Sequence, residues 1–235
     1  NKENEYYNAM TAHTKDFQKE LFEEMKGRIK EDDQSVPYLY NGYYYITRFE
    51  TGKDYPIYSR KKESLSAKEE IMFDCNELAK GQSYFQLGGL SISPDNKLAI
   101  FSTDTVGRRI YTIQVKSLET NAILEDKIEK VTGSAVWAND NKTIFYSSQD
   151  EVTLRSDKIF KHKLGTKQAD DVLVYFEKDD TFNVEIAKSK SRKYLAIESG
   201  STLTTEYRIL NADNPDGKFE IFQKRIRGVE YSINH

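Results

Sequence analysis

The side chains able to do covalent or acid–base chemistry are few and scattered along this chain. Ser91 and Ser201 follow glycines, in Gly89-Leu90-Ser91 and Gly200-Ser201. Neither has the Gly-x-Ser-x-Gly spacing that lifts a nucleophile onto a strand-to-helix turn. Gly88-Gly89 opens a strand-like run, so it does not make the helix-opening loop that cradles phosphates. The histidines, His13, His162 and His235, are isolated in the sequence, and Cys75 has no neighbouring Cys or His. A metal site would need a convergence that this spacing does not show. The acidic pairs Asp32-Asp33, Asp170-Asp171 and Asp179-Asp180 read as solvated loops, and Tyr43-Tyr44-Tyr45 as half-buried strand. Asn141-Lys142-Thr143 has the form of a glycosylation acceptor, yet hairpin turns generate such triplets by chance. Taken alone, these residues describe a scaffold, with no catalytic group, metal or cofactor expected.

The scaffold itself is legible in Leu87–Val115, LGGLSISPDNKLAIFSTDTVGRRIYTIQV. Apolar and polar residues alternate, stop at Pro94-Asp95-Asn96, alternate again, and resume a third time after Asp104–Arg108. Period-two runs cut by turn formers predict short antiparallel strands. The pattern recurs in Ser134–Lys163 and Phe182–Asn211, and more loosely in Val36–Lys61, where Asn41-Gly42 supplies a hairpin turn. A spacing of about 45–50 residues with four strands per unit predicts β-propeller blades.

Blade one takes Val36–Tyr40, Tyr43–Phe49, Tyr55–Lys61 and Glu70–Asp74. Blade two takes Leu87–Ser93, Leu98–Thr103, Arg109–Val115 and a strand near Lys127–Val131. Blade three takes Ser134–Trp137, Thr143–Ser148, Lys158–Lys163 and Val172–Glu177. Blade four takes Phe182–Ala187, Tyr194–Ser199, Glu206–Asn211 and Phe219–Gln223. Val229–His235 reads as the first strand of a truncated fifth blade. Residues 1–33 differ in kind. Phe17, Leu21, Phe22, Met25 and Ile29 recur at helical spacing, which predicts an amphipathic helix after Thr14, with that hydroxyl as its cap. The fold class is thus all-β with an N-terminal helical segment: a helical arm over 1–33, about four propeller blades over 34–228, and the stump over 229–235.

Net charge is −3, with 35 basic and 38 acidic side chains interspersed, so there is no basic field for nucleic acid. No run approaches the length of a membrane span. The 37% apolar content counts 16 Tyr and omits 12 Gly. It is low beside the roughly 45–50% of a typical domain, as fits blades whose outer strands are wet. One cysteine excludes an internal disulfide and fits a reducing compartment. The expected location is the cytoplasm; because Asn1 does not read as a natural start, the periplasm stays open.

In a four-stranded antiparallel blade, the loops joining strands two and three share an end with the links between blades. That end carries Glu50–Asp54, Asp104–Arg108, Gln149–Asp157 and Gly200–Thr205, with an inter-blade turn at Thr132-Gly133-Ser134. Its loops are long and rich in charge and hydroxyls, and so suit recognition. Arg108, Thr132, Gly133, Ser134, Asp150, Glu151 and Arg155 are the candidate site residues.

Several runs resemble the arm and propeller of the prolyl oligopeptidase family of serine peptidases, within its oligopeptidase B branch. They include Gly27-Arg-Ile-Lys-Glu-Asp-Asp-Gln-Ser-Val-Pro-Tyr, Tyr55-Pro-Ile-Tyr-Ser-Arg and Leu87-Gly-Gly-Leu-Ser-Ile-Ser-Pro-Asp. Asp104-Thr-Val-Gly-Arg-Arg-Ile-Tyr, Gly133-Ser-Ala-Val-Trp-Ala and Gln149-Asp-Glu-Val-Thr-Leu-Arg continue it in order, as far as Gly228-Val-Glu-Tyr-Ser-Ile-Asn-His. Cys75 departs from a commoner aliphatic residue, and Ser134 from the Glu of some members. The resemblance implies a seven-bladed ring capping a C-terminal α/β-hydrolase domain of the same chain, whose Ser-Asp-His triad cleaves short peptides after Arg or Lys. It places that triad outside these residues, and it implies that the candidate end faces the hydrolase domain. The other reading is a non-catalytic propeller that serves as a binding module.

Overall fold

The computed structural model describes residues 1–235, which divide into two compact units, Asn1–Asn76 and Glu77–His235. In the first unit, helix α1 (Lys2–Thr11) runs through a 3-10 turn at Ala12–Thr14 into helix α2 (Lys15–Gly27). Helix α2 starts after Thr14 as predicted, but Thr14 does not cap it. Its hydroxyl donates to the Thr11 carbonyl at 2.8 Å and accepts from Gln18 Nε2 at 2.7 Å. The reason is continuity: Thr14 already has helical backbone angles, so no free first turn is left to cap. Phe17, Phe22 and Met25 are exposed along α2, where Glu24 pairs with Arg28 one turn on.

The first unit also holds a four-stranded antiparallel sheet of β1 (Tyr38–Tyr40), β2 (Tyr43–Arg48), β3 (Ile57–Lys62) and β4 (Glu69–Asp74). Asn41 and Gly42 turn the first hairpin with φ of 48° and 83°, the left-handed pair that a two-residue loop requires. Tyr38 then stacks on Tyr45 across the pair, with ring centroids 5.4 Å apart.

In the second unit, one seven-stranded sheet runs in chain order through β5 (Gln86–Ile92), β6 (Leu98–Asp104), β7 (Tyr111–Ser117), β8 (Ile123–Trp137), β9 (Thr143–Gln149), β10 (Ser156–Lys163) and β11 (Val172–Phe176). A second sheet holds β12 (Asn183–Lys188), β13 (Tyr194–Gly200), β14 (Thr205–Asn211) and β15 (Glu220–Gln223). All neighbours are antiparallel, neither sheet closes, and such sequential meanders fit an incomplete propeller.

Strand β8 corrects the predicted turn at Thr132-Gly133-Ser134. The two strands expected on either side of it are one strand of 15 residues. Its first half pairs with β7 through Lys127 and Ile128, its second half with β9 through Ala135–Trp137, and Val131 pairs with both. Gly133, at φ +90°, supplies the bend. Ile100, Ile113 and Ile128 from one side of that bend then pack in one cluster with Trp137, Ile144 and Tyr146 from the other. Trp137 Nε1 donates to the Ser91 carbonyl at 3.1 Å, tying β8 to β5. A further cluster joins Phe145 and Ile159 to Val184, Leu195 and Ile197 of the second sheet. Burying each such side chain is worth about 1.5–3 kcal/mol, so these clusters hold successive meanders face to face.

The strand predicted over Val229–His235 is absent. The segment is irregular and touches its neighbours at separate points: the Val229 carbonyl accepts from Thr205 N at 3.1 Å, Thr205 Oγ1 meets the Tyr231 backbone, and Ser191 N donates to His235 O at 2.9 Å. A ladder needs one partner strand in register, and these bonds go instead to β14 and to the turn before β13. No helix is long and apolar enough to cross a membrane.

Candidate functional site

The candidate residues of the second unit lie in a set of loops that hold one another by hydrogen bonds. After β6, buried Asp104 accepts backbone N–H bonds from Val106 at 2.9 Å, Gly107 at 2.9 Å and Arg109 at 2.7 Å. Burial opposes its charge, but these bonds outweigh that and keep its pKa below the ordinary carboxylate value. The loop is therefore shaped from inside, and Arg108 stays exposed at its tip. In the β9–β10 hairpin, Asp150 accepts from Thr153 N at 2.7 Å and Val152 N at 3.0 Å, which likewise lowers its pKa. Gln149 Nε2 donates to the Arg109 carbonyl at 2.8 Å and joins this hairpin to the β6–β7 loop.

Glu151 is exposed and receives Lys130 Nζ of β8 at 3.0 and 3.1 Å. Beside it the Thr132 hydroxyl meets Ser147 of β9 at 2.5 Å. Gly133 is buried, and Ser134 is exposed. A Cβ on Gly133 would stand 2.8 Å from Ser102 Oγ and 2.9 Å from the Tyr111 ring. A Cβ on Gly89 would meet the Gly133 carbonyl at 2.4 Å. Only glycine fits where β5 crosses this bend.

Arg155 reaches the next sheet. Nη1 donates to the carbonyls of Phe182 at 2.6 Å and Asp179 at 3.0 Å, and Nη2 to that of Glu177 at 3.1 Å. Below them, Arg225 Nη2 bridges Glu177 at 2.6 Å and Glu206 at 3.2 Å. Burial disfavours the Glu177 carboxylate, but hydrogen bonds from Arg225, Tyr175 and the Asp179 N–H prevail and lower its pKa to about 2. A cavity of about 640 Å³ opens here between Phe182, Thr204, Arg225 and Arg227.

Arg108, Thr132, Gly133, Asp150, Glu151 and Arg155 thus belong to one connected group of loops, with Ser134 beside them. Thr132–Ser134 enters it as a bend within β8. Glu50–Asp54 belongs to the first unit, where Glu50 pairs with Arg48 at 2.6 Å. Outward the group presents Arg108, Ser134 and Glu151 on a hydrogen-bonded frame, together with the exposed apolar side chains of Val106 and Val152. That equips it to recognise a partner surface, and it contains no assembled nucleophile and base.

Buried contacts correct the readings of His162 and Asp171. His162 is not isolated: it is fully buried between Asp171 and Asp126, so Asp171 is no solvated loop residue. These contacts span 9 and 36 residues in the chain, and no local spacing signals them. Asn141 sits in its turn with φ 59° and accepts from Asp95 N at 2.9 Å, while Thr143 is buried and donates to Asp140. That triplet is a hairpin device. Cys75 is buried, and burial followed by the Asp74 charge pushes its thiol up to about 12, which suits a packing role.

Comparison with known proteins gives this frame a family. The model described as "Prolyl oligopeptidase, N-terminal beta-propeller domain" matches residues 1–235. Dipeptidyl aminopeptidase BI of Pseudoxanthomonas mexicana is 38% identical, over 100% of this chain and 34% of that protein. Protease 2 of Moraxella lacunata is 30% identical, over 99% of this chain and 35% of that protein. The structure of oligopeptidase B from Leishmania major superposes with a TM-score of 0.89 and 32% identity, covering 98% of this chain and 33% of that one. The chain spans about a third of the length of these relatives. All of its 235 residues match the N-terminal β-propeller domain of the prolyl oligopeptidase family of serine peptidases, to which it belongs.

Proposed function

We propose that this chain is the arm and propeller portion of a serine oligopeptidase that cleaves short peptides after Arg or Lys. The reaction takes place on an α/β-hydrolase domain of the same chain, outside residues 1–235. The propeller caps that site and admits substrate by size. In this reading the seven-stranded sheet is two blades sharing β8, residues 34–228 make four blades of a seven-bladed ring, 1–33 is the arm, and 229–235 enters the fifth blade. The connected loops bearing Arg108, Thr132–Ser134, Asp150, Glu151 and Arg155 face the hydrolase domain. We place the protein in the cytoplasm, with the periplasm as the alternative location.

The observation that carries this reading is the likeness to oligopeptidase B over 98% of the chain. A second reading has its own support, because the 38% identity is to a dipeptidyl aminopeptidase, so the parent can instead release dipeptides from free N-termini. A fluorogenic dipeptide ending in Arg, offered with its N-terminus blocked or free, separates the two. Full-length protein should turn over both forms, and residues 1–235 alone neither. Turnover of the free form only would favour the dipeptidyl reading; turnover of neither would favour a binding module.

A further inference from the structure

His162 lies on β10 with no exposed surface, and both its ring nitrogens face carboxylates. Nδ1 is 2.6 Å from Asp171 Oδ1, and Nε2 is 3.1 Å from Asp126 Oδ1. Asp126 comes from the half of β8 that pairs with β7, and Asp171 from the residue before β11. Each carboxylate has one further donor: Gly165 N to Asp126 at 2.6 Å, and the Tyr146 hydroxyl to Asp171 at 2.8 Å. The ionisable groups facing the ring are therefore Asp126 from β8, Asp171 ahead of β11 and, behind Asp171, Tyr146 from β9. Lys161 and Lys163 flank His162 on β10, but alternation sends them to the other face, where Lys161 pairs with Asp216 at 2.7 Å.

A neutral imidazole has one N–H and one lone pair. Between two carboxylates it would satisfy one and set its lone pair against the other. Only the imidazolium donates to both. Burial opposes that charge, but the hydrogen bonds to Asp171 and Asp126 outweigh it and raise the pKa of His162. The same connection between β10 and β11 grips β8 at a second, uncharged point, where the Gln168 side chain exchanges bonds of 2.9 and 3.0 Å with the Glu129 backbone.

We propose that protonated His162 is an internal pin fastening the β10–β11 connection to the half of β8 that pairs with β7, and that loss of its proton is a built-in alkaline release of this junction. The charge on the ring holds together two segments that pair with different neighbours, so its loss leaves one carboxylate buried without that donor. The sign follows from linkage: with the folded pKa raised, the pin contributes fully below the unfolded value of about 6.5 and is lost as pH rises through the folded value.

The test is hydrogen exchange in the full-length protein as a function of pH, followed in segments 123–131 and 164–172 and corrected for intrinsic exchange rates. Protection there should fall by up to tenfold per pH unit above about pH 6.5, then level off once folded His162 has lost its proton. H162Q should show no such fall. D126N removes one charged partner while retaining a carbonyl acceptor, so its plateau should come at lower pH; it also serves if H162Q does not fold. Protection independent of pH in the wild type, an equal fall in H162Q, or an unmoved plateau in D126N would overturn the proposal.

Discussion

Arg155 Nη1 donates to the Phe182 carbonyl at 2.6 Å, joining the β9–β10 hairpin to the residue that precedes β12. The same guanidinium holds the Asp179 and Glu177 carbonyls. Arg155 is thus committed to bracing the junction between the two sheets, whereas Glu151, four residues earlier in sequence, is exposed and held by one lysine. The two candidates have different duties and should fail differently.

Replacing Arg155 by alanine should loosen the β11–β12 connection. Hydrogen bonds to a charged group are worth about 1.5–3 kcal/mol, so a loss of about 2–3 kcal/mol is expected as a lowered denaturant midpoint. Lysine should recover only part of this, since one ammonium cannot reproduce a planar fork that spans three carbonyls. A midpoint unchanged in Arg155→Ala would show that the brace does not act in solution.

Reversing charge at Glu151 should do the opposite. Its ion pair with Lys130 is more than half exposed on both sides, and exposed pairs contribute about 0–1 kcal/mol. E151K should therefore leave the midpoint within about 1 kcal/mol of wild type. In the full-length enzyme it should still change peptide turnover, with an effect that shrinks at high salt. Wild-type kinetics and salt dependence in E151K would mean that this group of loops does not face the hydrolase domain.

Gly133→Ala should be among the costliest single changes. The new Cβ meets Ser102 Oγ at 2.8 Å and the Tyr111 ring at 2.9 Å, on a backbone at φ +90°. A cost of about 2–4 kcal/mol follows from strain and overpacking together. Gly42→Ala shares a positive φ of 83° but has open space around it, so about 1 kcal/mol is expected there. Thermal melts of the two variants that lie equally far below wild type would contradict the crowding at the β8 bend.

These positions show what a single sequence discloses. Strands were legible because alternation is local, and Asn41-Gly42 marks its turn by residue type. Gly133 misled for the same reason: a glycine between Thr and Ser looks like a turn, and only pairing with β7 and β9 makes it a bend in one strand. The candidate loops could be placed by counting strands, but that cannot reveal that Arg155 spends its donors on carbonyls 22 to 27 residues away. Within the helical arm over 1–33, only the helix after Thr14 could be given a start, because KENEYYNAMT has little apolar periodicity to mark α1. Val229–His235 alternates like a strand, yet its hydrogen bonds form at separate points and not along a ladder.

Glu177 sets an acid limit. Its folded pKa of about 2 lies below the ordinary 4.5, so its contribution is present above pH 4.5 and is lost as pH falls from there towards 2. Denaturant midpoints measured across that range should decline in the wild type, and less steeply in Glu177→Gln. Parallel declines would show that Arg225 and Tyr175 do not hold this carboxylate in solution.

The central claim is that the propeller screens substrate for an active site carried elsewhere in the chain. Its most direct test uses full-length protein and one arginyl bond presented twice, in a peptide of a few residues and within a long unfolded polypeptide. Rapid cleavage of the short form with the long form left intact is the predicted result. Equal rates on the two would contradict it.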